Sequence, residues 1–239
     1  MLNSVFIAFA LSVLTVAAVS YLLGSISFSI LFTRLFDHNT DIRSLGSGNA
    51  GTTNVLRSVG VKAGILTLLC DFSKGAVSVF AGREIFGTLC AQTGLPPYLQ
   101  QYGAFLAGLF CVLGHIYPLY FQFKGGKGIS ATAAILAMVD WRVFLIGIGI
   151  FCIVFAFTRI VSISSILGSI SFPIANLLLT YFADYAGRNS GYGPLPVSYV
   201  WITTAFAVVI AFILVFKHRE NIRRLRNGTE KKLTIKHST

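Results

Sequence analysis

The chain has 239 residues, of which 55% are hydrophobic and only 11% are charged, and its mean hydropathy is +0.76. Apolar blocks recur at lengths that can cross the hydrocarbon core of a bilayer, which excludes a soluble globular protein and indicates an integral membrane protein. The formal net charge of +11 does not call for a nucleic-acid partner, because a basic cytoplasmic rim is usual for membrane proteins.

The apolar segments predict an all-α integral membrane protein with seven transmembrane helices. At about 1.5 Å per residue, the fourth segment falls well short of a hydrocarbon core of about 30 Å. The first is not expected to be a cleaved signal peptide, because no Lys or Arg precedes it. The predicted spans are Val5–Phe32, Val61–Arg83, Tyr98–Phe121, Ile129–Val139, Val143–Phe157, Ile163–Phe182 and Val197–Phe216.

The positions of Lys and Arg decide whether the fourth segment crosses. With seven crossings and an outside N-terminus, the cytoplasmic side receives seven basic residues between spans and eight more from Lys217 to Lys236, whereas the outer side keeps three. If the fourth segment only dipped into the bilayer, Arg159 and the basic tail would lie outside, against the positive-inside rule. We therefore predict seven crossings, a cytoplasmic C-terminus, and one transmembrane domain over residues 1–239 with a basic tail at about 217–239.

The first polar motif, between Asp41 and Arg57, reads DIRSLGSGNAGTTNVLR and holds three glycines, two asparagines and two arginines. Glycines let backbone N–H groups approach a ligand closely, and such groups beside arginine bind phosphate oxygens. The letters GSGNAG match the dinucleotide fingerprint GxGxxG, but they stand between two membrane helices and not after a strand. The motif is therefore interpreted as a phosphate-binding loop of another kind.

Two charged residues and a histidine fall inside predicted spans. Asp71 and Lys74 are three residues apart, a spacing at which a neutralising pair is expected, and a structural role is the preferred interpretation. His115, near the end of a helix, is as consistent with a structural role as with a site role. The four cysteines, at positions 70, 90, 111 and 152, lack metal-site or redox spacing and are expected to be apolar filling.

A second glycine motif and the start of the tail complete the polar set. Phe123–Gly128 reads FKGGKG and repeats the phosphate-binding chemistry, although Gly128 stands where a P-loop would need Ser or Thr. His218 and Asn221 are three residues apart and share one face if the last helix continues. By the predicted topology all these motifs lie on the cytoplasmic face, so the sequence predicts an active site that opens towards the cytosol and the inner leaflet.

The ordered motifs resemble those of the bacterial membrane glycerol-3-phosphate acyltransferases that use acyl phosphate as donor. The resemblance covers nearly the whole chain and is carried by GSI at 24–26, the stretch 41–57, DFSKG at 71–75, GHIYPLYFQFKGGKG at 114–128, VSISS at 161–165 and HRENIRRL at 218–225. It implies transfer of a fatty acyl group from a long-chain acyl phosphate to the sn-1 hydroxyl of glycerol 3-phosphate. The expected products are lysophosphatidic acid and phosphate, as the first acylation step of phospholipid synthesis.

The resemblance also implies which residues do the work. Six positions are expected to be catalytic: Ser47, Arg57, Lys127, Ser165, His218 and Asn221. Substrate and phosphate binding is expected at Gly46, Gly48, Asn49, Gly51, Thr53, Asn54, Gly125, Gly126 and Gly128. The protein is expected to need no cofactor or metal, to bind membrane lipids but no nucleic acid, and to work as a monomer in the bacterial plasma membrane.

Three alternatives stay open from the sequence. The proton of the attacking hydroxyl passes either to His218 or to a substrate phosphate. In the second alternative the protein is the same enzyme but takes the acyl group from acyl-CoA, although nothing in the chain resembles an adenine site. A transporter for a small anion is the alternative from another class, but a transporter places its polar residues near the midplane and not at one face.

Overall fold

The computed structural model describes residues 2–233, and that part of the chain forms ten α-helices and no strand. Short 3-10 turns lie at Ile42–Ser44 and Leu119–Phe121, and a π-helical turn at Leu179–Ala186 extends the eighth helix. The helices are α1 Leu2–Gly24, α2 Phe28–Phe36, α3 Thr52–Ser58, α4 Val61–Thr93, α5 Leu99–Ile116, α6 Ile129–Val139, α7 Trp141–Thr158, α8 Val161–Leu178, α9 Val197–Lys217 and α10 Arg219–Arg226.

Six segments within residues 2–233 are long and apolar enough to cross a membrane, and α6 is a shorter apolar helix. Large apolar side chains point away from the bundle, among them Phe6, Phe157 and Phe212, which are 72%, 86% and 68% exposed. An apolar surface of this kind is stable against lipid and not against water. The six segments are Asn3–Phe36, Val61–Thr93, Leu99–Phe121, Trp141–Thr158, Val161–Ala186 and Val197–Lys217.

The predicted span Val5–Phe32 lies within the apolar segment Asn3–Phe36, but it is not one continuous helix, because α1 ends at Gly24 and α2 begins at Phe28. Gly24 packs so closely on α5 that a Cβ there would collide with the backbone of Cys111. The break frees the carbonyl of Ile26, which accepts a hydrogen bond from the Lys74 ammonium at 2.6 Å. A helix can break inside a membrane protein only where its freed backbone groups find such partners.

The predicted pairing of Asp71 with Lys74 is confirmed, and the two charged atoms lie 2.8 Å apart with both side chains buried. His115 approaches the same carboxylate, with 3.7 Å between His115 Nδ1 and Asp71 Oδ1. The buried cation thus caps the α1–α2 break while its charge is balanced by Asp71. This gives both residues a structural task in the fold.

Arg83 is not the end of the second span, contrary to the prediction Val61–Arg83, because α4 continues to Thr93. The Arg83 guanidinium turns inward and donates hydrogen bonds to the carbonyl of Met138 and to the side chain of Gln101, at 2.8 and 3.1 Å. Gln101 in turn donates to the carbonyl of Val139 at 2.8 Å. The Arg83 guanidinium therefore binds a backbone carbonyl at the end of α6 that has no hydrogen-bond partner within its own helix.

Contacts between helix termini define the two ends of the bundle. At one end, Gly114 near the end of α5 packs on Gly24 at the end of α1, and the Gly125 N–H donates to the carbonyl of Ile116. At the other, the ring of Tyr102 stacks on that of Tyr199 at the start of α9. We call the first the glycine-motif face, since it holds the residues 41–58 and 122–128.

Candidate active site

The first glycine motif is organised around the buried side chain of Asn54, at the start of α3. Its amide nitrogen donates to three carbonyls, those of Ile42, Leu45 and Asn49, at 3.2, 2.9 and 3.1 Å. Its oxygen accepts the backbone N–H of Ser47 at 3.0 Å. The oxygen also accepts from Ser58 Oγ at 3.5 Å, so all the hydrogen bonds of this amide go to residues 42–58 and Asn54 shapes the motif from inside.

The loop that Asn54 holds presents Gly46, Ser47 and Gly48 on the surface of the glycine-motif face. Gly46 and Gly48 have φ of 57° and 70°, in the left-handed region that favours glycine. Of the other expected phosphate-binding residues, Asn49 and Gly51 precede α3, and Thr53 lies in its first turn.

The two glycine motifs, about seventy residues apart in sequence, are in direct contact. Arg43 donates to the carbonyl of Phe121 at 3.0 Å, and the hydroxyls of Thr52 and Ser130 lie 3.4 Å apart. Gly126 sits so close to Ala50 that a Cβ at this position would collide with the Ala50 carbonyl oxygen. Gly125 and Gly128 flank this contact in the same short loop. The predicted pair of phosphate loops therefore forms one continuous surface.

Lys127 extends from the second motif towards the tail, where its ammonium donates a hydrogen bond to Asn221 Oδ1. Burial lowers the pKa of Lys127 to about 8, an effect that the nearby charges of Arg224 and Lys217 reinforce and that of Glu230 opposes. The ammonium is thus largely charged at neutral pH. A charged donor in a partly desolvated site is suited to hold a phosphate oxygen.

His218 caps the end of α9, and its ring is buried beside Lys127. The Leu214 carbonyl can only accept, so His218 Nδ1 is the donor in their 2.8 Å hydrogen bond, and Nε2 keeps a lone pair. Burial, reinforced by the charge of Lys127, lowers the pKa of His218 to about 4. The ring is therefore neutral at pH 7, the state that a proton acceptor requires.

Arg57, in the last turn of α3, reaches the tail from the other side. One of its terminal nitrogens donates to the carbonyl of Lys232 at 3.4 Å. Its Nε is buried and has no hydrogen-bond partner within residues 2–233. A buried guanidinium N–H without a partner is costly, and an anion bound beside Arg57 would offset that cost.

Ser165 lines an apolar cavity between α6, α7, α8 and α9. The cavity has an empty volume of about 490 Å³, including space open to the surroundings. Its lining includes Ser165 and Leu214, whose carbonyl holds His218, and its walls are almost entirely hydrocarbon. The lining residues are Ile129, Thr132, Ala133, Leu136, Phe144, Gly147, Ile148, Phe151, Ser165, Gly168, Ser169, Phe172 and Leu214.

Three residues that sequence reasoning did not select are joined by hydrogen bonds to the candidate site: Ser162, Arg224 and Glu230. Glu230 Oε1 accepts hydrogen bonds from Ser162 Oγ at 2.8 Å and Asn221 Nδ2 at 2.6 Å, and Oε2 accepts one from Arg224 Nε at 2.6 Å. The sequence feature that singles out Glu230 is that it is one of only two acidic residues after Lys217, in a stretch rich in Lys and Arg.

No group of three or more His, Cys, Asp and Glu side chains that could hold a metal ion occurs among residues 2–233. The four cysteines are free.

Known proteins resemble this chain over nearly its whole length. The family model described as "Glycerol-3-phosphate acyltransferase" matches residues 14–228. Proteins of that name from Thermoanaerobacter sp. (strain X514) and Finegoldia magna are 35% and 37% identical to the chain over 220 and 215 residues. These alignments cover 91% and 90% of this chain, and 93% of each relative.

Two solved structures are also similar. Both are of PlsY, described as an integral membrane glycerol 3-phosphate acyltransferase, in a glycerol 3-phosphate form and a lysophosphatidic acid form. Their TM-scores are 0.72 and 0.70, with 33% and 32% sequence identity. They cover 93% and 92% of this chain, and 96% and 95% of their own chains. The match of nearly the whole sequence and of the helical fold shows that this chain belongs to the glycerol-3-phosphate acyltransferase family.

Proposed function

We propose that the protein transfers a fatty acyl group from a long-chain acyl phosphate to the sn-1 hydroxyl of glycerol 3-phosphate. The hydroxyl oxygen forms a bond to the acyl carbonyl carbon, the bond from that carbon to the phosphate oxygen breaks, and phosphate leaves. The products are lysophosphatidic acid and inorganic phosphate. One observation carries the proposal: two phosphate-suited glycine motifs with Arg57 and Lys127 meet beside an apolar cavity lined by Ser165.

An acyl phosphate donor suits the chemistry of these residues. Because it is already a mixed anhydride, the enzyme need not activate a poor leaving group and has to hold two phosphates, align the hydroxyl and stabilise developing charge. Arg57, Lys127 and Asn221 are assigned to phosphate oxygens, together with backbone N–H groups of both glycine motifs. Ser47 and Ser165 are assigned to orienting the reacting groups.

The acyl chain of the donor is assigned to the apolar cavity. A hydrocarbon chain binds there for the same reason that it stays in a membrane, since its contact with water is removed. The position of Ser165 at this cavity would bring the head of the chain to the glycine-motif face, where the phosphate is held.

The proton of the attacking hydroxyl has two possible acceptors. Neutral His218 has a free lone pair on Nε2, which supports its role as the base, although a pKa of about 4 makes it a weak one. Phosphate bound near His218 would raise its pKa and strengthen it. The phosphate of either substrate remains the alternative acceptor.

For the membrane topology we propose seven crossings, with the N-terminus outside and the glycine-motif face in the cytoplasm. Support comes from the segment 125–139, which consists of a short loop and α6 and runs antiparallel to α5. At one end the Gly125 N–H donates a hydrogen bond to the Ile116 carbonyl, and at the other the Gln101 side chain donates one to the Val139 carbonyl. The short helix thus passes from the glycine-motif face to the opposite end inside protein, where lipid thickness does not set its length. We further propose a single domain that acts as a monomer in the bacterial plasma membrane.

The test is an assay of the purified protein with glycerol 3-phosphate and palmitoyl phosphate, without added metal. Lysophosphatidic acid and phosphate are expected in equal amounts, and rapid quenching followed by NMR should place the acyl group on the sn-1 oxygen. Turnover with palmitoyl-CoA only would contradict the proposed donor, and loss of activity with a chelator would contradict the expectation of a metal-free reaction. Uptake of glycerol 3-phosphate into proteoliposomes without any product would favour a transporter.

A further inference from the structure

The short segment from Gly228 to Leu233 folds back over the candidate active site. The Leu233 N–H donates to the carbonyl of Arg159 at 2.8 Å, and the Lys232 carbonyl accepts from Arg57. Just before these anchors in the chain, Glu230 enters the candidate site with its side chain only 10% exposed. A carboxylate in the basic tail is thus enclosed among the residues expected to bind phosphate.

Both oxygens of Glu230 accept hydrogen bonds, from three donors that belong to two helices. Ser162 comes from the start of α8, while Asn221 and Arg224 come from α10. Burial alone would raise the pKa of the Glu230 carboxyl, but the hydrogen bonds from Asn221, Arg224 and Ser162 outweigh it and hold the pKa below its ordinary value. Glu230 is therefore ionised at neutral pH and can only accept hydrogen bonds.

This acceptor decides the orientation of the Asn221 side chain. Because Glu230 only accepts, Asn221 must turn its NH2 group to it, and the amide oxygen then points the other way. There it meets the ammonium of Lys127, which only donates. If Asn221 were reversed, two donors would face each other at Lys127 and two acceptors at Glu230. The chain Glu230–Asn221–Lys127 is thus consistent in one orientation only.

We propose that Glu230 is a positioning residue for the reaction, which aims the Lys127 ammonium at the substrate phosphate by holding Asn221 in this orientation. The inference rests on the proposed function and adds a residue from the tail to its machinery. Glu230 does not touch Lys127 and leaves the remaining N–H groups of the ammonium for the substrate. The Glu230 carboxylate therefore does not compete with the substrate phosphate for Lys127.

Glu230 also acts on Lys127 through its charge. Lys127 is faced by Lys217 and His218 from the end of α9, by Arg224 from α10 and by Glu230. Of these, the carboxylate is the one group that favours the charged ammonium. Removing its charge should therefore lower the pKa of Lys127 further below its value of about 8, and so reduce phosphate binding at alkaline pH.

The test compares Glu230→Gln with Glu220→Gln in the purified full-length protein. Glu220 carries the same charge in the same tail, but its side chain is 55% exposed and pairs with Arg223. For Glu230→Gln we expect a loss of about tenfold in kcat/KM at pH 7, since one hydrogen-bond network to a charged group is broken. We also expect the alkaline limb of its pH profile to move to lower pH. Glu220→Gln should change neither.

Two further variants separate positioning from folding. Glu230→Asp keeps the charge but withdraws the carboxylate, so kcat/KM should fall while the alkaline limb stays close to that of the unaltered protein. Arg224→Gln removes a cation that lowers the pKa of Lys127, so its alkaline limb should move to higher pH. A purely structural role for Glu230 would lower the yield or Tm of Glu230→Gln without moving its alkaline limb, and that result would overturn the proposal.

A measurement without turnover separates this proposal from the proposed function. The rate at which acetic anhydride acetylates Lys127, followed by mass spectrometry against pH, reports the pKa of its ammonium directly. If the enzyme assay fails but Glu230→Gln still shifts this curve to lower pH, the coupling holds and the assigned reaction is wrong. If the curves of Glu230→Gln and Glu220→Gln coincide with that of the unaltered protein, Glu230 does not act on Lys127.

Discussion

Arg57 and Lys127 reach the candidate active site from different glycine motifs, and each has N–H groups to spare. Arg57 keeps a buried Nε without a partner in residues 2–233, and Lys127 uses one of its three donors on Asn221. Asn54, by contrast, uses the nitrogen and the oxygen of its side-chain amide in hydrogen bonds to its own motif. Residues predicted together from one motif thus divide into side chains with donors left for a ligand and side chains that build the loop.

We predict that Arg57→Ala and Lys127→Ala each lower kcat/KM about tenfold to more than a hundredfold. Each change removes a charge-assisted hydrogen bond to phosphate, worth roughly 1.5–3 kcal/mol. Arg57→Lys should recover only part of the loss, because an ammonium lacks the planar fork of a guanidinium. Arg226→Ala, at an exposed position of the tail, is the matched control and should cost little. Near-normal rates in both alanine variants would contradict the assignment of the phosphate site.

A second prediction concerns Asn54. Asn54→Asp should destabilise the protein about as much as Asn54→Ala, because a carboxylate cannot donate to the three loop carbonyls and an unmet buried group costs roughly 1–3 kcal/mol. The measurement is Tm in detergent together with the KM for glycerol 3-phosphate. Thr53→Ala, in the neighbouring position of α3, should leave Tm nearly unchanged. A rise in KM with an unaltered Tm would instead make Asn54 a direct ligand of phosphate.

At the scale of elements, the apolar cavity depends on how closely α7 and α8 approach. Gly147 of α7 and Gly168 of α8 face each other, and a Cβ at Gly168 would lie 3.3 Å from the Gly147 carbonyl oxygen. Small residues at such positions are the usual way in which membrane helices pack tightly. Here they also keep the centre of the cavity free of side chains, between Phe144 and Phe151.

Gly147→Leu should therefore shorten the acyl chain that the enzyme accepts. The new side chain would fill the middle of the cavity, so turnover of a long-chain donor should fall several-fold relative to that of a short-chain donor. Gly149→Leu on the same helix is the control, because a Cβ at this position meets nothing within 4 Å. The measurement is kcat/KM for a series of acyl phosphates of increasing length. An equal loss for all lengths would argue against this cavity as the acyl site.

At the scale of the whole molecule, the helix ends place the polar chemistry on one face. The glycine motifs, the start of α8 and the tail meet there, joined by Lys127–Asn221, Ser162–Glu230 and Arg57–Lys232. The opposite end carries Arg142, which pairs with Asp140 and Asp184 at 2.7 and 2.9 Å. The charge of Arg142 is neutralised locally, and most of the Lys and Arg residues lie on the glycine-motif face, which is the distribution that the proposed cytoplasmic orientation of this face predicts.

The proposed orientation can be tested by cysteine labelling in a background without the four native cysteines. A cysteine in the loop 184–196 should react with an impermeant maleimide in intact cells, whereas one at Thr234, outside the described residues, should react only after lysis. The reason is the excess of Lys and Arg on the side of the tail. Labelling of the tail in intact cells would overturn both the seven-span count and the cytoplasmic active site.

Much of the candidate site could be proposed from the sequence because its signals are local. Glycine-rich stretches with Arg or Lys indicate phosphate chemistry by composition alone, and the order of the motifs identifies the family. Glu230 and Ser162 could not be found in this way, because nothing in their local sequence tells which side chains they meet. Their roles arise only when the tail folds back onto α8 and α10.

The sequence by itself determined that the chain is an all-helical membrane protein of the glycerol-3-phosphate acyltransferase family, because hydropathy and motif order are properties of the unfolded chain. It predicted the pairing of Asp71 with Lys74 from their spacing alone. The tertiary structure decided that the first span breaks at residues 25–27 and that α4 runs beyond Arg83, since both depend on partners in other helices. It also decided the orientation of Asn221, because hydrogen bonds between distant segments form only when the chain has folded.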